Sequence, residues 1–140
     1  MLVFHFFIMF AVMYTMVEVR DDMILNLNQF YMTMMMVLPM TIGMLLLMPS
    51  MYPNKKLNSL LYGLSTLLFL FFFYFMRSQT FIDDRQFLKS MIPHHSGALL
   101  MCKKANLTDP EVIKFCKGVI ETQDQEIKIM KQMLERLPKS

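Results

Sequence analysis

A chain of 140 residues has room for one ordinary domain, or for a few membrane-crossing helices and a small domain beside them. Its residues are 55% hydrophobic and its formal net charge is only +3, and no basic patch is interleaved with aromatics, which argues against a nucleic-acid partner. Cys102 and Cys116 form no CxxC motif, which excludes a thioredoxin-like or zinc-ribbon centre.

The apolar runs fall in residues 1–76 and most of the charge in residues 77–140. This predicts a membrane region over 1–77 and an extramembrane domain over 78–140. The first run, MLVFHFFIMFAVMYTMV, has no basic n-region and no small-residue cleavage site, so it is not expected to be a cleaved signal peptide. Extended to Val19 it approaches the roughly 20 residues that cross a bilayer. His5, Met9, Met13 and Met16 share a face of it at helical spacing. A histidine near the headgroups with lipid-facing methionines is the plainer account of that face.

Glu18–Asn28 is a polar link. The second apolar run, residues 30–51, carries Pro39 and Gly43, both tolerated in membrane helices. Met32, Met36, Met40, Met44 and Met48 form a slanted stripe on it, expected to serve packing rather than ion transfer. After a turn with Lys55 and Lys56, the third run covers 57–76. Spans at about 2–19, 30–51 and 57–76 follow. The two lysines place the second loop in the cytoplasm and the domain over 78–140 outside it.

Residues 81–104 pattern as a helix, with Thr80 and Asp83 as a capping box. On a wheel of ~100° per residue, Leu88, Met91, His95, Ala98 and Cys102 share one face, with His94 and Met101 at its edge. Pro93 predicts a kink just before the histidines. Met91, His94, His95 and Met101 are the candidate ligands, because thioether and imidazole donors suit soft ions such as Cu(I). Thr108, Asp109, Pro110 and Glu111 open a second helix to Leu137, with Thr108 as its expected cap. Gln123 and Glu126 sit on or beside its apolar face. A turn at 106–109 would bring His95 level with Gln123, so either residue could fix the imidazole tautomer. The same fold-back brings Cys102 near Cys116, as a disulfide, as two thiol ligands or as two buried small residues.

The pattern from Asp84 to Met133, with Phe87, Met91, Ile92, Pro93, His94, His95, Pro110, Gln123, Glu126, Ile127 and Met130 at the matching positions, resembles a bacterial family of domains of unknown function, number 305. The resemblance covers roughly 78–137 and extends more loosely over the spans, through Met51–Lys56 and Arg77–Gln79. It implies a ferritin-like helical fold and, for some members, extracytoplasmic binding of copper or silver in metal tolerance. It adds Met130 to the ligand set.

The expectation is an all-α protein: three transmembrane helices, then a two-helix antiparallel hairpin of four-helix-bundle type that a second copy would complete. Its function would be membrane-anchored binding of soft metal ions, copper above all, in an integral protein of a bacterial inner membrane. Lipid, metal ion and a homodimer mate are the expected partners, and nucleic acid is not. The alternative is an assembly protein whose hairpin dimerises without metal. No enzyme is expected. A di-iron carboxylate centre would need Glu-x-x-His pairs, and no Glu stands three residues before His5, His94 or His95.

Overall fold

The computed structural model describes residues 2–138; Met1 and residues 139–140, the ends of the two predicted regions, lie outside the described residues. The described residues are helical with no strand. The helices are α1 (Leu2–Met13), α2 (Leu27–Leu47), α3 (Lys55–Ser78), α4 (Asp84–Lys104) and α5 (Pro110–Arg136), with 3-10 turns at Tyr14–Met16 and Arg20–Asp22. The chain divides into two compact units, one of residues 1–13 and 28–81, the other of residues 14–27 and 82–140.

The first unit holds the apolar helices. α2 and α3 are each long and apolar enough to cross a membrane, while the apolar stretch Val3–Met16 is shorter. The first span expected over 2–19 is therefore only partly helical: α1 stops at Met13. The reason is that the polar backbone after it finds partners elsewhere than in a continuing helix. The Tyr14 hydroxyl donates to the Ile24 carbonyl (2.9 Å), and the Glu18 amide donates to Ser96 Oγ (3.0 Å). α2 starts three residues before its predicted run and ends at Leu47, ahead of Pro49, as the restricted residue before a proline requires. α3 is capped by the Asn54 side chain, which accepts from the Leu57 amide, and closes on Gln79 in the left-handed region.

Aromatic rings tie these helices together. Phe30 of α2 lies 5.7 Å from Phe6 of α1 and 5.8 Å from Phe72 of α3, ring centre to ring centre. Met32, Met36 and Met40 of α2 and Met48 just beyond it are exposed. His5 is half-buried with its ring edge-on to Phe4.

The second unit is built on α4 and α5, which run in opposite directions. Arg85 at the start of α4 donates to the Leu134 and Leu137 carbonyls at the end of α5 (2.9 and 2.8 Å). At the other end Cys102 and Cys116 are joined by a disulfide, with Cα atoms 5.3 Å apart. Between these ties lie Leu88, Ile92, Leu99, Ile127 and Met130, with Ile92 fully buried. The caps differ from those expected. Asp83, not Thr80, caps α4, accepting from the Gln86 amide. Asp109, not Thr108, caps α5, accepting from the amides of Glu111 and Val112 with Pro110 in the first turn. An ionised carboxylate is the stronger acceptor for the free amides of a helix start. α4 is continuous through Pro93, the position where a kink is expected.

Residues 14–27, expected as the end of the first span and, from Glu18, as a polar link, instead form a strap across α4 and α5. Asp22, almost completely buried, pairs with Lys131 of α5, and Glu18 pairs with Lys103 of α4 at 3.0 Å. Gly97 lies beneath the strap: a Cβ there would meet the Met16 carbonyl oxygen at 3.3 Å. Ile24 adds its side chain to the core of the α4–α5 pair.

Two consequences are measurable. Reducing the disulfide, which closes a loop of 14 residues, lowers stability by about 3 kcal/mol; chemical unfolding with and without reductant reads this directly. Asp22→Asn leaves Lys131 without its anion and costs about 1–3 kcal/mol, because Lys131 keeps 37% of its side-chain surface exposed and recovers part of the loss from water.

Candidate metal site

α4 carries the candidate donors on different sides, which follows from 3.6 residues per turn. His95 points towards α5 with 13% of its side chain exposed, while His94 is exposed; their ring centres are 5.9 Å apart. His95 Nδ1 lies 3.1 Å from Glu126 Oε2 of α5. That distance is right for a charge contact, but the angles are not those of a hydrogen bond, and Nδ1 is buried without a hydrogen-bond partner among the described residues. Gln123 Oε1, one turn along α5, is buried and likewise unpartnered there. Two orphaned polar atoms in the middle of a helix interface cost free energy unless something meets them.

Burial pushes the His95 imidazole below its ordinary pKa, with a smaller push from His94 and an opposing pull from the Glu126 carboxylate. His95 is therefore neutral at pH 7, the form that carries a ligand lone pair. An open groove of about 750 Å³ runs along α5 past Lys114, Phe115, Gly118, Thr122, Gln123 and Glu126, so solvent reaches the Gln123–Glu126 edge.

The profile of the family described as "Domain of unknown function (DUF305)" matches residues 76–134. "Uncharacterized protein L153" of Acanthamoeba polyphaga mimivirus is 36% identical over 116 residues, covering 81% of this chain and 74% of that protein. The chain belongs to the DUF305 family. No solved structure matches it. The DUF305 segment contains all of α4 and most of α5, and with them every candidate ligand. The strap lies outside it.

The candidate residues of the DUF305 segment separate into four places. His95, Glu126 and Gln123 gather between α4 and α5. Met130 lies in the core and Met91 packs against it, half-buried. His94 and Met101 are on the open surface of α4, Met101 with 54% exposure. Cys102 and Cys116 are bonded to each other and offer no thiolate. No group of three or more His, Cys, Asp or Glu side chains stands together among the described residues, so a hard or borderline ion has no ready set of ligands there. Sequence reasoning missed Ser96, Gly97 and Glu18, which seat the strap beside the histidines. The only sequence signal was two adjacent small residues in mid-helix directly after the histidine pair.

His95 makes the metal-free protein sensitive to acid. In the unfolded chain the imidazole protonates at its ordinary pKa, while in the fold it resists protonation. Just below that pKa the unfolded state binds more protons, so stability rises with pH through this window and levels off above about 6.5. Thermal melts between pH 5 and 8 will show this slope in the wild type and lose part of it in His95→Gln.

Proposed function

We propose that this DUF305 protein is a membrane-anchored binder of soft metal ions, Cu(I) above all, holding them through Met and His side chains for metal handling or tolerance rather than for catalysis. The observation that carries this reading is the state of His95. Its imidazole is neutral, screened from water, and backed by a carboxylate on Nδ1. The Glu126 charge 3.1 Å from Nδ1 favours a proton on that nitrogen, by electrostatics rather than through a hydrogen bond, and leaves the Nε2 lone pair for a metal. His94, Met91 and Met101 supply further soft or borderline donors within two turns of the same helix, and on α5 Glu126 and Gln123 lie at His95 while Met130 lies at Met91.

The anchoring part of the proposal takes α2 and α3 as crossings, with α1 and its 3-10 turn as a third, short one. Two crossings return the chain to the side it left. A unit made of residues 14–27 and 82–140 needs that return, since both of its pieces must lie on one side. Lys55 and Lys56 at the start of α3 assign the intervening turn to the cytoplasm, and the disulfide suits an oxidising compartment for the metal-binding unit.

A second reading, an assembly module without metal, has one observation in its favour. The α5 groove leaves Phe115 with 70% of its surface exposed, which a second α4–α5 pair could cover to make a four-helix bundle.

Titration of the full-length protein in detergent micelles with Cu(I) against a competing chelator separates the two. Metal binding predicts a dissociation constant of about 1 μM or tighter, lost in the double variant His94→Ala, His95→Ala. Wild-type protein that takes up no Cu(I), but sediments as a dimer, leaves only the assembly module.

A further inference from the structure

Around α4 the residues sort by angle. At ~100° per residue, with His94 set at zero, Leu88, Ile92, His95, Leu99 and Cys102 fall between about 80° and 160°, the side given to α5. Ser96 and Lys103, at about 180–200°, hold Glu18 of the strap, and Gly97, at about 300°, lies under the Met16 carbonyl. His94 and Met101 fall between Gly97 and the α5 side, at about 0° and 340°. The strap therefore borders the open stripe that carries His94 and Met101. Along the axis Gly97 is about 4.5 Å beyond His94 and about 6 Å short of Met101, close to midway between them.

Met16 is the last residue of the 3-10 turn Tyr14–Met16, seated on that midpoint by its own carbonyl and by the Glu18 amide two residues on. Its side chain is 51% exposed and that of Met101 is 54% exposed. Neither thioether is consumed by core packing; Met101 shares the open side of α4 with His94, and the backbone of Met16 borders that side. Gly97 contributes no side chain, which lets the strap backbone at Met16 lie directly on α4 beside the open stripe.

We propose that Met16, His94 and Met101 form a two-thioether, one-imidazole site for a monovalent soft ion, Cu(I) or Ag(I), over the Gly97 turn. This rests on the soft-metal reading of the chain and deepens it: the strap supplies a ligand from outside the DUF305 segment. A trigonal set of two sulfurs and one nitrogen matches the low coordination number and soft-donor preference of Cu(I), and discriminates against Zn(II), which takes thiolate, imidazole or carboxylate rather than thioether. The site is separate from the His95–Glu126 contact, which lies about 100° round the helix.

The test uses the full-length protein in detergent micelles, loaded with Cu(I) alone, and compares wild type with Met16→Leu and with Met48→Leu, an exposed methionine just beyond α2. Leucine keeps the apolar bulk of residue 16 and removes only the sulfur. The expected result is a dissociation constant at least about tenfold weaker for Met16→Leu, and one sulfur scatterer fewer in the copper X-ray absorption spectrum, with Met48→Leu unchanged in both. Met16→Leu that binds as tightly as wild type with the same sulfur count overturns this site while leaving the soft-metal reading standing. Wild-type protein that binds no Cu(I) overturns both. Helix content by circular dichroism, matched between variant and wild type, assigns any loss to the ligand rather than to folding.

Discussion

The contact on which the second unit depends is the seating of the strap's backbone against the middle of α4. Met16's carbonyl comes so near the helix that a Cβ at position 97 would sit 3.3 Å from it, and the neighbouring Ser96 hydroxyl, with no exposure at all, takes the Glu18 amide. A helix pair of this size has little area to bury, and the strap adds to it. Ile24 reaches the core, Asp22 is drawn inside onto Lys131, and Glu18 closes on Lys103. Each of these follows only once the backbone has been allowed to approach. Small side chains at 96 and 97 are what permit the approach, and the price is a stretch of α4 with reduced side-chain packing of its own.

That arrangement also explains the electrostatics at the histidines. With the strap on one side and α5 on another, α4 has one remaining open face, and the two adjacent histidines straddle its border. One imidazole is consequently solvated and the other screened, although they are neighbours in sequence. The screened one loses proton affinity because burial outweighs the attraction of Glu126, which is itself 46% exposed and therefore acts through a partly aqueous medium.

Much of the helical layout was legible in the sequence. The long apolar runs gave α2 and α3 within a few residues, and the periodicity from Asp84 onward gave α4 and α5 and put His95 on the side of Gln123 and Glu126. The caps lie three residues (Asp83) and one residue (Asp109) beyond the expected threonines because both Thr and Asp suit such positions, and the ionised side chain won. α1 was overextended because hydropathy does not register where a chain leaves a helix to seek partners 78 residues away. The strap was illegible for the same reason. Asp22 reads in sequence as an ordinary loop acid, and only its distant lysine makes it a buried one. The division of the candidate ligands among core, interface and surface was likewise hidden, since thioethers at helical spacing look alike whether they fill a core or face solvent.

The disposition of the strap sets an order of events during synthesis. The Glu18–Lys103 pair joins residues 85 apart, and both of the helices long and apolar enough to cross a membrane are made between them. The first-made piece of the second unit therefore has no partner until α2 and α3 have been delivered to wherever they reside and α4 has emerged behind them. During that interval Tyr14–Leu27 is an unsatisfied polar-and-apolar segment held near the point from which α2 departs. Its closure is a long-range step that must follow synthesis of α4 and α5, where its partners lie, and so comes late in the folding of the second unit.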